Sequence, residues 1–117
     1  YYWVPVKGDE FDYPLALALF DTGVNMGVGT AVKLLQRAIN DLVPQPKWIK
    51  VDGVLGPITI RRAKELDPVR LALRLVDRRE ERYRALVRAN RRLAKFLKGW
   101  LNRVNDLRKH IKDGRNG

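Results

Sequence analysis

Cysteine is absent from this 117-residue chain, which excludes disulfides, thiolate nucleophiles and cysteine zinc sites. Histidine occurs once, as His110; a histidine metal cluster is excluded and a Ser-His-Asp triad is disfavoured. No metal and no other cofactor is expected. Long apolar runs are missing too: the longest, Leu15 to Phe20, falls far short of the roughly 20 residues a membrane span needs. No segment alternates with period two for long enough to build a sheet. Glutamate is scarce, with only Glu10, Glu65, Glu80 and Glu81. Glycoside hydrolysis wants paired carboxylates, one of them shielded. Three of these four lie on basic helical stretches, where pairing such as Glu80 with Arg84 accounts for them. Glu10 sits in a loop with Asp9 and Asp12.

Basic charge is abundant, and unevenly placed. Residues 1–60 hold five Lys/Arg against six Asp/Glu, whereas residues 61–117 hold nineteen against seven. The basic half favours a polyanionic partner, and nucleic acid, anionic lipid and bacterial wall polymers all qualify. The rest of the composition, 45% hydrophobic and 32% charged, is that of a folded domain and excludes wholesale disorder. The chain opens on Tyr1, Tyr2 and Trp3 and reads as a fragment of something longer.

The apolar spacing predicts an all-α chain, with no more than a small turn around residues 48–54. Asp12 and Pro14 signal the start of a first helix running to about Met26, apolar on nearly every face and so expected to be covered on every face. Asp21 and Asn25 interrupt it on one side, four residues apart. They either line a cleft or satisfy a buried network. Gly27 to Gly29 end this helix and Thr30 is the expected cap of the next, whose stripe is Ala31, Leu34, Leu35, Ala38, Ile39 and Leu42. Pro44 and Pro46 stop it. Pro57 opens a short helix to about Leu66. Asp67-Pro68 starts a long helical pattern, with a break expected near residues 89–91 and a bend at Gly99.

Several residues have both a structural and a functional reading. Gly53 supplies a positive φ and Asp52 an Asx turn, with Gly56 and Thr59 at the start of the next helix. Trp48, in a loop beside Lys47 and Lys50, is a sugar-stacking candidate, as are Trp3 and Trp100. Trp100 also continues an apolar stripe. The column Arg70, Arg74, Arg78 and Arg82 is either a solvated face or an electrostatic anchor.

Three segments carry a resemblance. Ala18 to Gln36, ALFDTGVNMGVGTAVKLLQ, is similar to the core stretch of glycoside hydrolase family 108, phage and bacterial N-acetylmuramidases that include proteins described as secretion activators. Val51 to Ile60, VDGVLGPITI, resembles the Asp-Gly-x-x-Gly-Pro-x-Thr turn of peptidoglycan-binding modules. Phe96 to Val104, FLKGWLNRV, resembles a later segment of the same family. The resemblance implies a lysozyme-like helical fold, truncated at its N-terminus and ending in long basic helices. It divides the chain into a remnant of the catalytic region, residues 1–30, and a helical peptidoglycan-binding region, residues 31–117. Asp21 and Asn25 match its cleft-side helix; Asp52, Gly53, Gly56 and Thr59 match its binding turn; Gly99, Trp100 and Arg103 match its late motif. Asp21 and Asn25 are thus the cleft candidates, Trp48, Asp52, Gly53, Gly56, Thr59, Trp100 and Arg103 the expected peptidoglycan contacts, and Arg70, Arg74 and Arg78 the expected anchor. The family's general acid lies in a Glu-Gly-Gly motif, which this sequence does not contain. The implied function is the peptidoglycan-binding part of a cell-wall hydrolase, without catalysis of its own, in the bacterial envelope or encoded by a phage. Its partners are peptidoglycan or anionic wall polymer, and a second copy of the chain against the 15–26 helix. The alternative is a basic helical protein that binds nucleic acid or a membrane surface.

Overall fold

In the computed structural model, which describes residues 11–116, with side chains to Asp113, Pro14 stands in the first turn of helix α1 (Tyr13–Met26). Asp12 is its N-cap residue, although its side chain accepts no capping bond. Gly27 ends the helix at φ +93°, a backbone state open mainly to glycine, and also precedes the first residue of α2 (Val28–Leu42). Because Gly27 turns the chain in one step, α2 begins two residues before the expected cap, and Thr30 lies inside its first turn. Val43 is extended, as a residue before proline must be, and α2 ends there. A 3₁₀ turn (Gln45–Lys47) and an irregular loop lead to α3 (Pro57–Lys64), with Pro57 at its start.

Asp67 caps α4 (Pro68–Ala89) by accepting from the backbone N–H of Arg70. A 3₁₀ turn (Arg91–Leu93), in which the Asn90 side chain accepts from Arg92 N–H, makes the expected break before α5 (Ala94–Asn116). At Gly99, where a bend is expected, α5 continues without a break in the helix. The described residues are helical or irregular, with no strand. The all-α expectation holds, and the last two helices are the long basic ones.

α4 is the central strut, packing against α1, α2 and α5, while α1 also packs against α2. The core joins Leu15, Ala18 and Leu19 of α1 to Leu35 and Ile39 of α2, Leu71, Leu75 and Val76 of α4, and Val104 and Ile111 of α5. Cover on every face of α1 is not observed. Leu15 and Leu19 lie inside the core, but Tyr13, Phe20 and Val24 are exposed. Leu15 and Leu19, on the helix expected to meet a second copy, are therefore engaged within the chain itself. No described helix is long and apolar enough to cross a membrane.

Candidate functional site

Two buried polar clusters hold the helices around the surface of interest. The first is ionic. Asp21 of α1 receives Arg79 Nη1 of α4 at 2.6 Å on Oδ2, and Arg103 of α5 on Oδ1. Arg79 is fully buried; its Nε donates to Tyr83 Oη at 3.1 Å, and its Nη1 lies 3.4 Å from Thr22 Oγ1. Its Nη2 finds no partner among the described residues. Burial pushes the Asp21 carboxyl pKa up, but the hydrogen bonds and charges of Arg103 and Arg79 outweigh it and hold the pKa below the ordinary value. Of the two readings of Asp21, the geometry is that of the buried network. Arg103 itself remains 58% exposed.

The second cluster is neutral. Gln36, fully buried in α2, accepts the N–H groups of Asp52 (3.0 Å) and Gly53 (2.9 Å) on its Oε1. Its Nε2 donates toward Asp52 Oδ1, Val54 O and Thr59 Oγ1, at 3.0, 3.1 and 3.1 Å. Both lone-pair positions and both protons of the amide are occupied. Asp52 Oδ1 also accepts Val54 N–H at 2.9 Å, closing the expected Asx turn. This backbone bond, then Gln36, lowers the Asp52 pKa. Gly53 has φ +78°, and a Cβ there would stand 3.3 Å from Lys33 Cε and 3.4 Å from Gly29 O. Thr59 Oγ1 accepts from Gln36 Nε2, which ties the start of α3 to α2. The motif residues Asp52, Gly53 and Thr59 thus fasten the loop to α2. Gly56 lines a small recess of about 140 Å³ beside them. Trp48 stands apart, 56% exposed, with its Nε1 donating to Val43 O at 3.2 Å.

Asn25, Trp100 and Arg103, remote in sequence, come together around α1, α4 and α5. Asn25 Nδ2 donates to Asp21 O at 2.8 Å. Trp100 stacks on Tyr83, with centroids 4.7 Å apart and planes inclined by 18°, and on Phe96 at 5.8 Å. Asn25 and Trp100 border a cleft of about 210 Å³, lined also by Met26, Thr30, Arg82, Tyr83 and Leu86. An aromatic wall opposite amide and hydroxyl groups suits a sugar ring, whose faces are apolar and whose edges are polar.

The arginine column is not uniform. Arg74 Nε and Arg78 Nε both reach Asp41 Oδ2 of α2 at 2.7 Å, and Arg78 Nη2 reaches Oδ1 at 2.6 Å. Hydrogen bonding to Arg78 is the main reason the Asp41 pKa is lowered. Arg74 and Arg78 are thus tied into the fold, whereas the exposed Arg70 side chain has no such partner among the described residues. Glu80 pairs with Arg84 as expected, and also with Arg108. Sequence reasoning passed over Gln36, Arg79 and Asp41 as structural partners. The spacing held a signal for Arg79: it falls on the apolar stripe of Ala72, Val76 and Tyr83, where a buried cation needs an anion such as Asp21.

The profile of a family described as "Predicted Peptidoglycan domain" matches residues 30–105. The chain belongs to that family. Among solved structures, that of Brucella abortus SagA is similar, with a TM-score of 0.77 and 27% sequence identity, over 96% of this chain and 57% of the other. The peptidoglycan-domain chain thus spans a little over half the length of that structure. No curated protein sequence matches it. Family membership favours peptidoglycan over nucleic acid or lipid as the partner, and implies association with the cell wall.

Proposed function

We propose that this chain is the peptidoglycan-binding part of a lysozyme-like cell-wall hydrolase of the glycoside hydrolase family 108 type, and that it holds the glycan in the cleft between Asn25, Thr30, Tyr83 and Trp100. The observation that carries the reading is the family match over residues 30–105. Its first residue also supports the division of the chain into 1–30, a remnant of the catalytic region, and 31–117, the binding region. Trp100, half-buried against Tyr83 and Phe96, offers its remaining exposed aromatic surface, Asn25 and Thr30 offer hydrogen-bonding groups, and Arg103 a half-exposed charge beside them. The Asp52–Thr59 turn serves by fixing α3 and its loop to α2, and Trp48 is a separate contact on the open surface.

Lacking the Glu-Gly-Gly motif, the chain by itself supplies no general acid, a contribution of about 10²–10⁴-fold. Its setting is the bacterial envelope or a phage that attacks it. The exposed Tyr13 and Val24 on the outer side of α1 make that side the candidate contact for a second copy, which light scattering coupled to size exclusion tests.

The deciding experiment is co-sedimentation with purified peptidoglycan, DNA and anionic vesicles in parallel. Peptidoglycan is expected to retain the chain, and Trp100→Ala to weaken retention roughly 2- to 12-fold, the range of an aromatic stacking contact. Retention by DNA or vesicles with none on peptidoglycan would overturn the reading. Retention is also expected to fall with added salt, because the field of the basic half is screened over about 8–10 Å at physiological ionic strength.

A further inference from the structure

Next to the aromatic cleft, between α2 and the C-terminal half of α4, runs a groove of about 410 Å³. Its walls carry Arg37 of α2 and Arg78, Arg82 and Arg88 of α4, and its floor includes Leu34 and Leu86. One carboxylate faces it, Glu81, already held by Arg78 at 3.5 Å and Arg74 at 3.7 Å. Arg78 in turn is neutralised by Asp41. Arg37, Arg82 and Arg88 are exposed and make no hydrogen bond or ion pair among the described residues. Three unneutralised guanidinium groups on one groove repel one another, and the described residues supply no anion for them.

Arg82 and Leu86 line both this groove and the aromatic cleft, so the two form one continuous surface. Along α4 the groove extends from Arg78 to Arg88, about 15 Å at the helical rise. That length accommodates an extended peptide of about four to five residues. Guanidinium forks bind carboxylates in bidentate fashion.

We propose that this groove is a binding site for the carboxylate-bearing peptide stem of peptidoglycan, with Arg37, Arg82 and Arg88 pairing with its carboxylates while the attached glycan lies in the aromatic cleft. The assignment rests on the reading that the cleft holds glycan, and adds a second ligand part that the cleft alone does not require.

The test titrates the whole chain with three soluble ligands: glycan fragments carrying their stems, the same fragments stripped by an amidase so that only the lactyl carboxylate on the sugar remains, and stem-bearing fragments whose carboxylates have been amidated. Poly(glycerol phosphate) is the fourth arm. Stem-bearing fragments are expected to bind roughly tenfold more tightly than the stripped or amidated ones, as charge-assisted hydrogen bonds imply. The double variant Arg37→Gln, Arg88→Gln is expected to remove that advantage and leave the affinity for stripped glycan unchanged. Equal binding of the three glycan ligands overturns the stem site and leaves the glycan reading standing. A double variant that loses the stripped and stem-bearing ligands alike also overturns it, since that loss reports a diffuse field or a damaged fold. Binding of poly(glycerol phosphate) with no glycan fragment bound overturns both.

Discussion

The two buried polar clusters solve the same problem by opposite means. Around Asp21, three helices meet on full charges; around Gln36, a helix and a loop meet on one neutral amide. In the ionic cluster, removing a partner strands the charge of a fully buried arginine, and Arg79 Nη2 already lacks a partner among the described residues. In the amide cluster every hydrogen-bonding position is filled, and a lost bond exposes only a dipole to an unfavourable setting. The ionic cluster is expected to respond more sharply, and to respond to pH. The amide cluster is expected to respond locally.

Asp21→Ala carries the largest expected effect, a loss of about 3–5 kcal/mol, the cost of breaking a buried ion pair from one side. Urea unfolding measures it. The double variant Asp21→Leu, Arg79→Met is expected to recover most of the loss, since apolar side chains of similar size tolerate the site. A double variant as unstable as the single one would show that the cluster does more than neutralise itself. The pH dependence has a definite sign. The Asp21 pKa lies below its ordinary 3.8 in the folded chain, as does that of Asp41. Their stabilisation is fully present above that value and is lost as pH falls through the lower folded values. Unfolding midpoints are therefore expected to fall on acidification below about pH 4, less steeply in Asp21→Ala.

Gln36→Leu comes next, at about 1–3 kcal/mol for stranded backbone groups. Hydrogen exchange is expected to accelerate at the amides of Asp52 and Gly53 and to stay slow in the buried parts of α4. Gly53→Ala follows at about 1–2 kcal/mol, because its φ of +78° disfavours a Cβ and Lys33 must give way. Asp41→Asn is the smallest, under about 1 kcal/mol, since its partners are part-exposed. Equal losses at Asp21 and Asp41 would erase the distinction between buried and surface pairs.

The helices were legible because their punctuation is local. Pro14, Gly27, Pro44, Pro57 and the Asp67-Pro68 pair act through the backbone of their own neighbours, and each stands at or beside an observed helix end. Gly99 leaves α5 unbroken for the same reason in reverse. A glycine inside a helix lowers propensity by about 1 kcal/mol without breaking it, and packing by Leu97, Trp100 and Val104 along the same helix outweighs that cost. The site was legible only in part. Asn25, Trp100 and Arg103 were singled out through motif resemblance, but nothing local in the sequence says that they meet. The arginines divide for a similar reason. On one face of α4, Arg74 and Arg78 look across to Asp41, whereas Arg82 and Arg88 share a groove with Arg37. Which charge stands opposite is a property of α2 and of the angle at which it packs, and spacing along α4 does not contain it.

The Asp21 cluster also bears on the order of events as the chain folds. Its two ion pairs join residues 58 and 82 positions apart, whereas the turn around Gln36 closes over 16 to 23. Closing the longer loops costs more chain entropy, so contacts between α1 and the last helix assemble after the shorter-range ones. A contact made late is largely absent from the transition state. It therefore acts chiefly on how fast the folded protein comes apart and little on how fast it forms. The charges that join the two ends of this domain are a latch on the finished structure: they lengthen its lifetime.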